Sequence, residues 1–170
     1  MLKVKLVRGG YSPDEAKSIL INCDRKIMIQ HIDTVYYPYI RFRYSVAVGK
    51  SVWSKLTKLS DCIIDLVTGT AAEGRGIPDF EEKMIDEQDA LGICVSKDQC
   101  YKIGHDFTLK LYLNKAKLLH TPKLEIIEED RFYKMFYVVQ CKDNDDLYYY
   151  VMVDGIEGNI SILDEKKDEN

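Results

Sequence analysis

Tyr36-Tyr37-Pro38-Tyr39-Ile40-Arg41-Phe42-Arg43-Tyr44-Ser45-Val46 decides how this chain is read. Ile40, Phe42, Tyr44 and Val46 fall on one side of an extended segment, with Arg41, Arg43 and Ser45 on the other. A period of two predicts a strand with one face in a core. A second aromatic stretch, Arg131-Phe132-Tyr133-Lys134-Met135-Phe136-Tyr137-Val138-Val139, is strand-like in the same way.

A helix start precedes each stretch. Ser12-Pro13-Asp14-Glu15-Ala16-Lys17-Ser18-Ile19 lines up with Ser96-Lys97-Asp98-Gln99-Cys100-Tyr101-Lys102-Ile103. Both place Ser at the N-cap and Glu or Gln three positions on, the pattern in which two backbone donors are satisfied reciprocally. Pro13 falls at the first helical position, where a missing N–H costs nothing. Each stretch is also followed by an apolar strand closing in Asp-x-x-x-Gly, at Asp65 to Gly69 and at Asp154 to Gly158. There Asp bonds its own backbone and Gly supplies a positive φ. The uneven spacing of the matched positions requires a longer second helix, from Lys97 to about His120.

The expectation is an α+β fold of two repeated helix-plus-antiparallel-sheet units, with the option of one shared core. Residues 1–70 form the first unit and 95–162 the second. An acidic linker at 71–94, with a short helix over 79–86, separates them, and a disordered charged tail follows at 163–170. Leu2-Lys3-Val4-Lys5-Leu6-Val7 adds an extra strand.

The helix followed by an antiparallel meander, the Tyr-Tyr-Pro-Tyr strand and the Asp-x-x-x-Gly ending resemble the PepSY-like group of small α+β modules. The likeness covers residues 12–69 and 96–160. It implies a helix packed on a small antiparallel sheet, a cystatin-like arrangement. It also implies a binding or inhibitory role rather than catalysis, often in tandem copies.

Composition narrows the function classes. The 170 residues carry 24 Lys and Arg against 28 Asp and Glu, a net charge of −4. The charges are interleaved, so no basic face suited to releasing nucleic-acid counterions is expected; Lys50, Lys55 and Lys58 read as a solvated hairpin. Five cysteines, an odd number with no Cys-x-x-Cys, suit neither a disulfide scaffold nor zinc. Cys62 and Cys94, each beside apolar neighbours, read as small buried hydrophobes in a reducing compartment. No membrane span is expected, and the N-terminus is too short and charged for a signal peptide. A cytoplasmic location follows, unless a signal or anchor has been removed.

Motifs that would carry chemistry are weak. Val48-Gly49-Lys50-Ser51 ends like a phosphate loop, but Tyr44 stands where that loop needs Gly. Gly69 to Gly76 could present amides to an anion, with Arg75, or simply begin the linker. His105-Asp106 with His120 offers an oriented base, and His31 stands alone. Asp143-Asn144-Asp145-Asp146 lacks the Gly and terminal Glu of a calcium loop. No catalytic, cofactor or metal residue is assigned.

The aromatics are more informative. Tyr36, Tyr37 and Tyr39 beside Arg41 and Arg43, together with Tyr148 and Tyr150, have the composition of a protein interface. Tyrosines covering a helix-packed sheet would look the same. The expected function is therefore non-enzymatic binding of a protein or peptide, with a homodimer through a strand edge compatible. The alternative is a small-molecule or catalytic site in the seam between units, drawing on His105, His120 and residues 74–76.

Overall fold

The computed structural model describes residues 1–48, 56–74, 79–116, 121–142 and 147–163. Along the chain run β1 (Leu2–Val7), α1 (Pro13–Cys23), β2 (Met28–Val48), β3 (Leu56–Asp65), β4 (Ala71–Glu73) and β5 (Phe80–Ile85). A 3-10 turn (Glu87–Asp89) precedes α2 (Lys97–Ala116), β6 (Lys123–Lys142), β7 (Tyr148–Asp154) and β8 (Ile160–Leu163).

These elements overturn the expected pair of helix-plus-antiparallel-sheet repeats. The described residues form a sheet of eight strands with two α-helices, and it is mixed, because β1 pairs with β6 in parallel. Two strands are far longer than expected, at 21 residues for β2 and 20 for β6. The part of β2 before Tyr36 contains Ile29, Ile32, Thr34 and Val35, residues that suit a pleated surface without a clean alternation. Residues 71–94 are not a plain linker either. They hold β4, β5 and the 3-10 turn, and Phe80–Ile85 is a strand rather than a short helix.

The chain packs into two compact units. The first takes residues 1–37, 79–91 and 133–170, and the second 38–78 and 92–132. In the first, β5 lies antiparallel to β1 from Leu2↔Ile85 to Val7↔Phe80. That register sets Lys3 against Glu82 at 2.7 Å and Arg8 against Asp79 at 3.1 Å, a basic strand on an acidic one. β6 pairs with β7, and β7 with β8, both antiparallel. Ala16 and Leu20 of α1 pack on Tyr137, Val139, Cys141, Val151 and Val153. Val4, Leu6, Tyr36, Ile85 and Tyr133 form a second apolar cluster.

In the second unit β2 pairs with β3 from Tyr39↔Asp65 to Val48↔Leu56, and β3 with β4. The alternation read from the sequence holds: Ile40, Phe42, Tyr44 and Val46 are all buried, with Cys62, Ile64, Leu66 and Cys100 of α2. The helix starts and turns also form as read. Ser12 and Glu15 close one capping box, and Ser96 and Gln99 exchange the same two bonds. Asp65 Oδ1 accepts from the N–H groups of Val67 and Thr68, and Asp154 Oδ1 from those of Ile156 and Glu157. Gly69 and Gly158 supply φ of +78° and +74°. The recurrence is local: the buried strand residues under α1 come from β6 and β7, and those under α2 from β2 and β3.

Candidate functional site

Arg41 and Arg43 lie where the alternation puts them, on the face of β2 turned away from Phe42 and Tyr44. The sequence reading leaves that face open to solvent. The structure does not. The Arg41 side chain is 3% exposed and that of Arg43 13%. Arg43 Nε and Nη2 donate to both oxygens of Asp61 at 2.9 and 2.8 Å, a bidentate pair. This carboxylate raises the Arg43 pKa above its ordinary value. Arg41 Nη2 donates to Glu128 Oε2 at 3.0 Å and to Asp130 Oδ2, while its Nη1 stands 3.8 Å from Asp61 Oδ1. Glu128 also comes within 3.6 Å of Arg43.

Asp61, Glu128 and Asp130 were not among the expected site residues. A signal for them exists: Glu128 and Asp130 are two apart, as are Arg41 and Arg43, so one strand can answer the other rung by rung. Tyr39 continues the ladder, stacked on Phe132 with ring centroids 5.7 Å apart and planes 19° from parallel. Asp61 and Glu128 each face both guanidinium groups, and Arg41 Nε and Nη1 are buried without a hydrogen-bond partner. The cluster is a charged packing layer, and as such withdraws Arg41 and Arg43 from a free cationic surface.

The tyrosines divide. Tyr36 is buried with Val4 and Leu6, and its ring carries Lys83 Nζ at 5.7 Å. Tyr37 meets Phe136 edge-on at 5.9 Å. Tyr148 and Tyr150, by contrast, are 47% and 43% exposed. They share one face of β7, while Val151 and Val153 on the other face join the α1 core. Lys142 Nζ lies 5.5 Å from the Tyr148 ring centroid, and Gln140 Nε2 donates to Tyr150 Oη at 3.2 Å. Leu147 is exposed before them, and on β8 Ile162 is 72% exposed although its neighbour in register, Val151, is buried. Among the described residues β8 pairs only with β7.

His105 pairs with its neighbour Asp106 at 3.5 Å, both about half exposed on α2, and His31 meets Asp33 at 2.8 Å. His120, Arg75, Gly76, Gly49, Lys50, Ser51, Lys55, Asp143 to Asp146 and residues 164–170 lie outside the described residues. Among the described residues no group of three or more His, Cys, Asp or Glu is placed to hold a metal ion. The five cysteines are free thiols. Cys62 is buried and its thiol pushed up to about 12 by desolvation, which makes it a poor nucleophile. Cys94, expected to be buried, is exposed, as is Cys23.

No protein-family model, curated protein or solved structure matches the chain. The PepSY-like resemblance therefore gains neither support nor opposition from them. No helix among the described residues is long and apolar enough to cross a membrane.

Proposed function

We propose that this chain is a non-enzymatic module that binds a protein or peptide at the β7–β8 end of its first unit, by adding an extended segment to β8. One observation carries the reading: β8 is an apolar edge strand whose Ile162 is largely exposed, and Tyr148 and Tyr150 are exposed on the opposite face of the adjoining β7. An added strand gains main-chain hydrogen bonds, and alternate side-chain contacts give it selectivity. Edges that must stay unpaired are usually blunted by charge. β5, with Glu81, Glu82 and Lys83, has that protection, whereas Ile160-Ser161-Ile162-Leu163 does not. Tyr148 and Tyr150 add large, stiff contact area with a polar tip. Arg41, Arg43 and Tyr36 serve as scaffold in this reading. A reducing compartment suits the five free thiols.

The test is to pan a displayed library of extended peptides on the folded full chain and on two variants, Ile162→Lys and Tyr148→Ala/Tyr150→Ala. Binders to the parent chain that are lost on both variants are expected. Binders indifferent to both, or none at all, would refute the proposal. The β8 edge is self-complementary, so concentration-dependent dimerisation abolished by Ile162→Lys is a further outcome in its favour.

A further inference from the structure

Below α2 the second unit buries polar groups that its core does not use. Cys100, Gly104 and Thr108 recur every fourth residue and share one helix face. From the sheet, Tyr44 and Cys62 point to the same side. Phe42 is in register with Cys62 and Tyr44 with Ser60, so Tyr44 and Cys62 are diagonal neighbours. Tyr44, Cys62 and Thr108 are all fully buried, and neither the Tyr44 Oη nor the Thr108 Oγ1 has a hydrogen-bond partner.

Two contacts bring these groups together. A Cβ on Gly104 would stand 2.7 Å from Tyr44 Oη, so the absent side chain lets the phenol end against the helix. Thr108, one turn further along, is near enough to the Cys62 thiol to oppose part of the rise that desolvation causes, while its Oγ1 meets no hydrogen-bond partner. Desolvation, followed by the nearby Cys62, holds the Tyr44 pKa well above its ordinary value, as an enclosed hydroxyl requires.

We infer that the Tyr44 hydroxyl, the Thr108 hydroxyl and the Cys62 thiol close on a single internal water molecule beneath α2. Buried water typically makes about three hydrogen bonds to groups that lack other partners. The two hydroxyls each donate and accept, and the thiol is a weak donor, so the set matches in number and sign. Nearly all buried polar groups are paired with protein or ordered water. Two orphaned hydroxyls on the same buried helix–sheet layer would be an unusual core, and one water would satisfy both. The site is independent of the β7–β8 surface.

The experiment measures water-to-amide cross-relaxation by NMR on the full chain, with thermal melts of Thr108→Val and Tyr44→Phe. Both substitutions keep the shape and delete only a hydroxyl's capacity. Long-lived water contacts at the Gly104 and Thr108 amides are expected, with a lower Tm for each variant. The double variant should lose less than the two single losses combined, because the second deletion acts on a water already displaced. An unchanged or raised Tm for both single variants overturns the inference, since removing an orphaned hydroxyl relieves a cost. Should a variant fail to fold, the parent chain decides alone: absent water contacts at both amides overturn the inference.

Discussion

Replacing Asp61 by Asn tests whether the charged layer on β2 is buried in the energetic sense. Asn keeps the shape, but one of its two terminal groups is now a donor, facing an Arg43 fork that offers only donors. Asp61 receives both short Arg43 bonds and lies 3.8 Å from Arg41. Breaking a buried ion pair by removing one partner costs about 3–5 kcal/mol, because the other charge stays behind. Arg43 retains Glu128 at 3.6 Å, and Arg41 retains Glu128 and Asp130, so the lower end applies. About 3 kcal/mol corresponds to roughly 6–12 °C, at about 2–4 °C per kcal/mol for a chain of this size. Thermal and urea unfolding followed by far-UV circular dichroism would read it. A companion, Asp61→Leu with Arg43→Met, should recover most of the loss, since well-packed apolar residues replace buried pairs at little cost. A drop below about 1 kcal/mol for Asp61→Asn is what a solvated pair gives. That result, or a companion as unstable as the single variant, would refute the reasoning.

Two further outcomes follow from the titrating groups. Glu129 sits below its ordinary value of 4.5, chiefly because Tyr101 Oη donates to it at 2.7 Å, with Lys97 next. A depressed carboxylate supports the fold above its unfolded pKa and loses that support as pH falls through the folded one. Tyr101→Phe should therefore cost stability near neutral pH and progressively less below about pH 4.5; a pH-independent difference in urea midpoints would contradict this. For the thiols, Cys23 and Cys94 are exposed and Cys62, Cys100 and Cys141 buried with raised pKa values. A disulfide reagent on the native chain should label two thiols promptly and three only on unfolding, and prompt labelling of Cys62 would contradict its burial.

Local chemistry was legible in the residues, and long-range assembly was not. Ser12 with Glu15, Ser96 with Gln99, and Asp65 and Asp154 each act within four residues of themselves, so sequence order shows their partners directly. The Ile40 to Val46 alternation also survived, because a strand's two faces are set by backbone geometry alone. What failed depended on partners far away. Glu81-Glu82-Lys83 read as linker because its stabilising neighbours, Lys3 and its strand, lie at the other end of the unit's sequence. β2 continues through Pro38, whose missing N–H discourages a central strand, while its carbonyl accepts from Leu66 N at 3.1 Å.

The Arg41–Arg43 face shows where a binary pattern misleads. Period two distinguishes the two sides of a strand, but a polar side is equally a solvated surface or a buried layer of matched charge. The two differ only in whether neighbouring strands present opposite charge at the same rungs. Arg43 finds Asp61 18 residues away, whereas Arg41 finds Glu128 and Asp130 at separations of 87 and 89. The distinction changes how binding should be probed. Arg41→Glu looks like a surface charge reversal, but it would place a fourth carboxylate beside Asp61, Glu128 and Asp130 with the central cation gone. Loss of a partner in that variant would report unfolding, whereas Ile162→Lys and Tyr150→Ala change side chains that already face water. Burial of the charge, rather than its sign, decides which residues can serve as probes of recognition.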